Sequence, residues 1–373
     1  MMRYIFNEKV DLECLSHDLK QMEEDNQIKT ICIYTTYNNP VNPEYFFEVF
    51  SKCEKQIFGA FFPGIIYKSS VFMTGYLLVG FDSHYNINSH VIQELSDKNI
   101  NELEKDVKNL NFNQAEIKTV LITVDAFSKG IKNLINAFFN IYSLNYNYVG
   151  GGAGAVDFIS RPCVFDNNGI YKDSALIVTI NRASVVGTNH GFNPIDGPFL
   201  VTKSSENIIE EIEYEPAFDF YKKIIAKHHP HPIEGDDFFE IFKNYPLGIP
   251  KLQSEAIIRE AAKIINKTAI ECFSSFPEHT SIFVMNGNNE SFIKGSMLAS
   301  LEADNEKVDT FAFVLDCFSR ANILGDEYSK MLNLIRLRDE MIFGALNIGE
   351  IASKQKNYLE YLNKACVITR FIL

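Results

Sequence analysis

Two octets far apart in the chain share one pattern. Residues 59–66 read GAFFPGII and residues 344–351 read GALNIGEI, with Gly59/Gly344, Ala60/Ala345, Gly64/Gly349 and Ile66/Ile351 in step. The surroundings match as well. Before the first octet lies TICIYTT (30–36), rich in β-branched residues. Asn42 then precedes Pro43, a helix cap followed by a favourable first helical position. Phe46, Val49, Phe50 and Cys53 recur at helical spacing, and a β-type run follows at 76–81. Around the second octet stand FAFVLDCFSR (311–320), a helix opened by Gly325 and Asp326 with Tyr328, Met331, Leu332 and Ile335 on one face, and the closing run ACVITRFI (365–372). Each octet therefore belongs to a strand–helix–glycine segment–strand unit.

A third copy lies between them. VLITVDAFSKG (120–130) aligns with FVLDCFSRA, setting Asp125 against Asp316, Phe127 against Phe318, Ser128 against Ser319 and Lys129 against Arg320. A helix with Ile131, Leu134, Ile135, Phe138 and Ile141 on one face leads to YVGGGAGAVDF (148–158), whose glycines do not register cleanly with the octets. Strands are expected at 163–166 and 174–180, joined through Asn167, Asn168 and Gly169. Copies this few and this far apart indicate a duplicated domain, not a solenoid. The expected fold class is α+β: duplicated strand–helix–strand units forming mixed or antiparallel sheets layered with outer helices.

Between the second and third copies the pattern loosens. Residues 181–215 are turn-rich and then strand-like, and 218–227 reads as a helix. Residues 228–250 hold four prolines and a His/acid cluster, which suggests a loop. IPKLQSEAIIREAA (249–262) reads as a turn or helix and SIFVMNGN (281–288) as a strand. A domain boundary is expected near 213–217, where a β-rich half gives way to a helix.

Charge and cysteine usage narrow the function classes. A net charge of −13 argues against nucleic acid or an anionic membrane as partner, since both need a basic face. The seven cysteines form no CxxC or paired spacing, so disulfides are not expected and a reducing compartment is. No signal-peptide pattern or membrane-length apolar run is present in the sequence, which points to a cytoplasmic protein.

Three stretches could carry chemistry. GGGAGAVD (150–157) lacks the GK[ST] of a phosphate loop, departs from GxGxxG, and is followed by an expected strand, so no helix dipole would face a phosphate. Its glycines either offer backbone N–H groups to a small acceptor or allow close backbone approach. In DCFSR (316–320), a continuing strand would put Asp316, Phe318 and Arg320 on one face. Arg320 could then hold a ligand carboxylate in bidentate fashion, or pair structurally with a carboxylate such as Glu350. If the strand ends early, Arg320 could approach Cys317 and favour its thiolate; the plain alternative is an inert buried thiol. No paired His is nominated, so no catalytic residue is assigned. HHPHPIEGDDFFE (228–240) makes His228, His229 and His231 weak metal candidates, but prolines break any helix there and a polar exposed loop is the better reading.

Taken in order, these segments resemble the FIST proteins, an N-terminal FIST domain followed by a FIST C domain. The resemblance rests on IFGAFFPGII (57–66), YVGGGAGAVDF (148–158), VFDNNGIYKDSALIVTI (164–180), VTKSSENIIEEIEYEPAFDFY (201–221), YPLGIP (245–250), DCFSRANILG (316–325), GALNIGEIA (344–352) and Asn363. It implies domains at 1–213 and 214–373. It also implies an intracellular sensory module that binds a small ligand, such as an amino acid or related carboxylate, and acts on an output partner in trans. No cofactor is implied. The ligand-binding positions carried over are Gly150, Gly151, Gly152, Asp157, Cys317, Arg320, Glu350 and Asn363. Phe62 and Pro63 stand where the family has small hydroxyl residues, and Leu362 where it has a His. Two competing readings are a cysteine-dependent enzyme using Cys317 with Arg320, and a scaffold whose acidic surface recruits a protein.

Overall fold

The computed structural model describes residues 2–110, 112, 116–229, 238–251, 254–304, 308, 310–354 and 358–372. The chain divides into two compact units. The larger comprises Met1–Thr188, Ser296–Tyr361 and Ala365–Leu373; the smaller comprises Asn189–Gly295 and Leu362–Lys364. The sequential boundary expected at 213/214 falls within the smaller unit.

The larger unit is built from three copies of one motif. The first runs through an outer strand (Met2–Asn7), a helix (Leu12–Glu24), an inner strand (Ile28–Thr36), a second helix (Pro43–Phe50), a glycine strand (Gln56–Phe62), a hairpin (Gly64–Tyr67 and Ser70–Phe72) and a return strand (Tyr76–Asp82). The second repeats this order as Asn88–Ile92, Ile100–Asn109, Thr119–Asp125, Ile131–Tyr142, Asn147–Ala153, the hairpin Val164–Asp166 and Gly169–Tyr171, and Ala175–Ile180. In the third, the outer strand is Ser184–Asn189 and the next motif element is the helix Asn289–Glu302. The inner strand Phe311–Cys317 follows, then helices Phe318–Leu324 and Tyr328–Arg336, the glycine strand Met341–Asn347, the hairpin Glu350–Lys354 and Tyr358–Leu362, and the return strand Cys366–Phe371. Most of the smaller unit is thus an insertion between the first two elements of the third repeat.

Each repeat contributes four strands to its own sheet, ordered outer, return, inner, glycine. The inner strand runs parallel to the glycine strand and antiparallel to the return strand in every copy. The last two places are filled by a hairpin from another repeat. The second repeat's hairpin completes the first sheet, the third's completes the second, and the first's completes the third. This exchange ties the copies into a ring. The three glycine strands touch one another pairwise, and inner-strand residues are almost all buried. Both faces of the central strands are covered, which accounts for their near-continuous apolar runs.

The glycine strands carry a shared requirement. Gly59 lies opposite Ile33, Gly150 opposite Ile122 and Gly344 opposite Val314. An added Cβ would come within 2.1, 1.8 and 1.7 Å of the facing carbonyl oxygens, respectively. Gly150 is therefore the counterpart of Gly59 and Gly344, although the sequence showed no clean register. The same pairing corrects the alignment of Asp125 with Asp316. Thr36, Asp125 and Cys317 occupy the equivalent last position of their inner strands, opposite Phe62, Ala153 and Asn347. A one-residue slip in a strand exchanges the two faces, so Asp125 corresponds to Cys317.

Two local expectations also change. Gly169 opens the returning arm of a short hairpin, Gly169–Tyr171, and Ala175–Ile180 pairs instead with the inner strand. The Asp166 carboxylate accepts from the backbone N–H groups of Asn168 and Gly169 and holds the turn. In the smaller unit, the stretch read as a turn or helix forms strands Leu247–Lys251, Ser254–Arg259 and Ala261–Ile265. Good helix formers are overridden there by pairing within an eight-stranded sheet and by burial of Ile257 and Ile258. The sheet packs on helix Ala217–Ile225, burying Phe218, Tyr221 and Ile225 with Phe242 of Phe238–Asn244.

Candidate functional site

The three repeats differ in how the chain leaves the glycine strand. Pro63 alone separates glycine strand from hairpin in the first repeat, and Ile348 and Gly349 do so in the third. In the second repeat the crossing extends over 154–163. This long crossing walls a cleft of about 860 Å³ in the larger unit. Its other wall is the end of the first repeat's inner strand and the start of the following helix: Tyr37, Asn38, Asn42, Glu44, Phe47 and Glu48. Val156, Asp157, Arg161, Pro162 and Ile170 face them.

Local sequence shapes both walls. The Asn42 side chain accepts from the Glu44 N–H and starts the helix, with Pro43 in its first turn, as expected. Its buried face is Phe46 and Phe50, which leaves Glu44 and Glu48 exposed one turn apart. The crossing is pinned by polar contacts. Arg161 Nη1 donates to Asp157 Oδ1 at 2.8 Å and Nη2 donates to Oδ2, a bidentate pair. The Ile159 N–H donates to Asp157 Oδ1 at 3.1 Å. The Arg161 hydrogen bonds, reinforced by that backbone donor, hold the Asp157 carboxyl below its ordinary pKa. The Tyr37 hydroxyl donates to the Pro162 carbonyl. The Tyr37 ring stacks on Phe61 at 4.6 Å, and the Arg161 guanidinium lies 5.5 Å from its centre.

Gly150, Gly151 and Gly152 form the middle of the second glycine strand and lead into this crossing. All three are closed in by neighbours, Gly150 and Gly152 by backbone and Gly151 by a side chain: a Cβ on Gly151 would meet Asn347 Nδ2 at 2.1 Å and one on Gly152 the Ile348 carbonyl at 2.1 Å. Gly151 pairs with Glu350 across the hairpin donated by the third repeat.

Cys317, Arg320 and Glu350 gather in the third repeat. The inner strand ends at Cys317 and a helix begins at Phe318, so of the two alternatives the strand ends early and Arg320 lies on a helix. Helical spacing returns its side chain to Asp316, with Nε donating to Oδ1 at 2.9 Å, while Nη2 donates to Ser296 Oγ at 2.7 Å. The Tyr328 hydroxyl donates to the other Asp316 oxygen at 3.0 Å. Arg320 and Asp316 are fully buried. Burial opposes the Arg320 charge most, but Asp316, Cys366 and Tyr328 together lift its pKa. Cys317 is 5% exposed and in no disulfide. Glu350 is fully buried, accepts from the Ala365 N–H at 3.0 Å through Oε2, and leaves Oε1 without a hydrogen bond. Desolvation pushes its pKa well up, opposed by the Ala365 N–H, so its neutral form is favoured.

Asn363 lies in the smaller unit, where its Oδ1 accepts from Ser274 Oγ at 3.2 Å. His228 Nε2 is 3.2 Å from Asp196 Oδ2, and His231 lies outside the described residues. Among the described residues no group of three or more His, Cys, Asp or Glu side chains could hold a metal. Of the ligand-binding positions expected from the sequence, Asp157 alone lines the cleft. Tyr37, Glu44, Glu48 and Arg161 were not singled out. The available signal was the spacing from glycine strand to next turn, longer in the second copy than in the others.

The chain belongs to the FIST family: residues 45–215 match the FIST N domain and residues 217–353 the FIST C domain. FIST domains are non-catalytic sensory modules that bind small ligands in signalling. No curated protein matches the chain. A crystal structure of a chorismatase aligns over 100% of this chain and 98% of its own at 8% identity, with a TM-score of 0.36, too low a likeness to carry an argument. Among the described residues no helix is long and apolar enough to cross a membrane.

Proposed function

We propose that this chain is a cytoplasmic sensory protein that binds a small ligand in the cleft beside Tyr37 and acts on an output partner in trans. The observation carrying this reading is the cleft itself. A single extended crossing opens it where the other two repeats cross in one or two residues, and that crossing bears a bidentate Asp157–Arg161 pair at the cleft wall. Concave sites with apolar walls and a few placed polar groups are the usual form of small-molecule sites. An amino acid or related carboxylate suits Arg161, whose planar fork can take a ligand carboxylate in exchange for Asp157. In this reading Gly150, Gly151 and Gly152 set the backbone path into the crossing. Cys317, Arg320 and Glu350 hold the third repeat against its neighbour, and Asn363 serves the smaller unit.

Thermal-shift measurements with the twenty common amino acids and simple carboxylates test the reading. A ligand at about 100 times its Kd adds about 2.7 kcal/mol to stability, enough for a clear rise in Tm. The reading predicts such a rise for at least one compound and its loss in Arg161→Ala. No stabilising compound, or an undiminished shift in that variant, contradicts it.

A further inference from the structure

We propose that the cleft beside Tyr37 recognises its ligand first through an ammonium group, so that the ligand class is an organic cation with an apolar body. This rests on the cleft as the ligand site and adds the sign of the charge it selects.

The charges on the cleft walls do not balance. Arg161 is the one basic side chain among the lining residues, and Asp157 neutralises it through two hydrogen bonds. Glu44 and Glu48 remain. They stand at i and i+4 on helix Pro43–Phe50, a spacing at which like charges repel. Among the described residues neither carboxylate is ion-paired or hydrogen-bonded. Glu44 in the first helical turn is favoured by the helix dipole, but Glu48 lies beyond that turn and gains nothing from it. The cleft thus holds two uncompensated negative charges on one wall.

The remaining surface fits an alkyl or aryl body. Phe47 lies between the two acids in sequence, and Val156, Pro162 and Ile170 line the opposite side. The Tyr37 ring already has Phe61 stacked on it and Arg161 5.5 Å from its centre, so the carboxylates carry the cation recognition. A ligand with a carboxylate alone would enter against Glu44 and Glu48 and would have to displace Asp157 from Arg161. An ammonium group meets no such opposition. An amino acid can satisfy both ends, with its amine at the glutamates.

The test compares n-butylammonium, butyrate and 1-butanol, matched in chain length, by backbone amide NMR at constant ionic strength. Butylammonium is expected to shift amides of 37–48 and 154–163, with binding weakened by added salt. A Glu44→Gln/Glu48→Gln double variant should lose affinity about tenfold while keeping the wild-type Tm, both side chains being exposed. Butyrate binding as well as butylammonium, equal binding of all three, no binding of butylammonium, or full affinity in the double variant would each overturn the proposal. If amino acids shift the cleft amides and butylammonium does not, the charge assignment falls and the cleft remains the ligand site. If neither shifts them, both readings fall.

Discussion

Gly150 lies opposite Ile122 in a parallel pair so close that a Cβ on the glycine would sit 1.8 Å from the isoleucine carbonyl oxygen. The relation recurs between Gly59 and Ile33 and between Gly344 and Val314. Backbone cannot move aside as a flexible side chain can. Alanine at any of the three positions should therefore destabilise the larger unit by about 1–3 kcal/mol, read from urea midpoints. Gly325→Ala is the control, because nothing lies within 4 Å of its Cβ position, although its φ of +50° brings a smaller backbone penalty. Equal tolerance at Gly59, Gly150 and Gly344 would contradict the shared register.

Much of this scaffold was legible in the chain. The Asn42–Pro43 start, the faces of Pro43–Phe50 and Tyr328–Arg336, and the paired glycine octets all survive in the structure, because caps, helical periodicity and close-approach glycines act locally. The register of the second glycine strand was not legible. Gly150, Gly151 and Gly152 are three candidates for one place, and only pairing with Ile122 selects the first. The sequence leaves open whether the strand continues to Arg320 or ends early, because the strand-to-helix break after Cys317 has no Gly, Pro or side-chain cap to announce it. The cleft eluded the sequence for a different reason: it depends on which repeat donates its hairpin to which sheet, a long-range relation.

Arg320 and Asp316 form a buried ion pair with Ser296 and Tyr328 completing its hydrogen bonds. Removing one partner leaves the other charge unpaired in the core, which costs about 3–5 kcal/mol. Arg320→Ala should lower stability by that order in urea unfolding. Replacing the Asp316–Arg320 pair by Leu and Met together should recover part of the loss. A fully stable Arg320→Ala protein would show that the pair is not structural.

Glu350 should make stability fall as pH rises. Its folded-state pKa lies well above the ordinary glutamate value of 4.5, through burial first, so the folded chain holds a proton that the unfolded chain releases. Between 4.5 and the raised value the folded state binds more protons, and stability declines by up to about 1.4 kcal/mol per pH unit. Below 4.5 both states are protonated and this contribution is level. Glu350→Gln should flatten the decline, so its advantage over wild type grows from pH 5 to pH 8. Parallel pH profiles for the two proteins would contradict a neutral Glu350.

The cysteines should divide by burial. Cys32, Cys163, Cys272, Cys317 and Cys366 are buried, whereas Cys14 and Cys53 are partly exposed. Burial and nearby carboxylates raise even the partly exposed thiols, Cys53 to about 11 and Cys14 by hydrogen bonding to Asp11, so native labelling should be slow. Iodoacetamide mapping by mass spectrometry at pH 8 should find Cys14 and Cys53 first, and Cys317 only after unfolding. Early, selective alkylation of Cys317 would favour a reactive thiol and with it a cysteine-dependent activity.

The central claim is that the extended crossing of the second repeat makes the ligand site. Backbone amide NMR during titration with a pool of the twenty common amino acids tests it most directly. The account predicts saturable shifts concentrated in 37–48 and 154–163, absent from Arg161→Ala. Shifts centred on Cys317, Arg320 and Glu350, or in the smaller unit around Asn363, or no shifts at all, would contradict it.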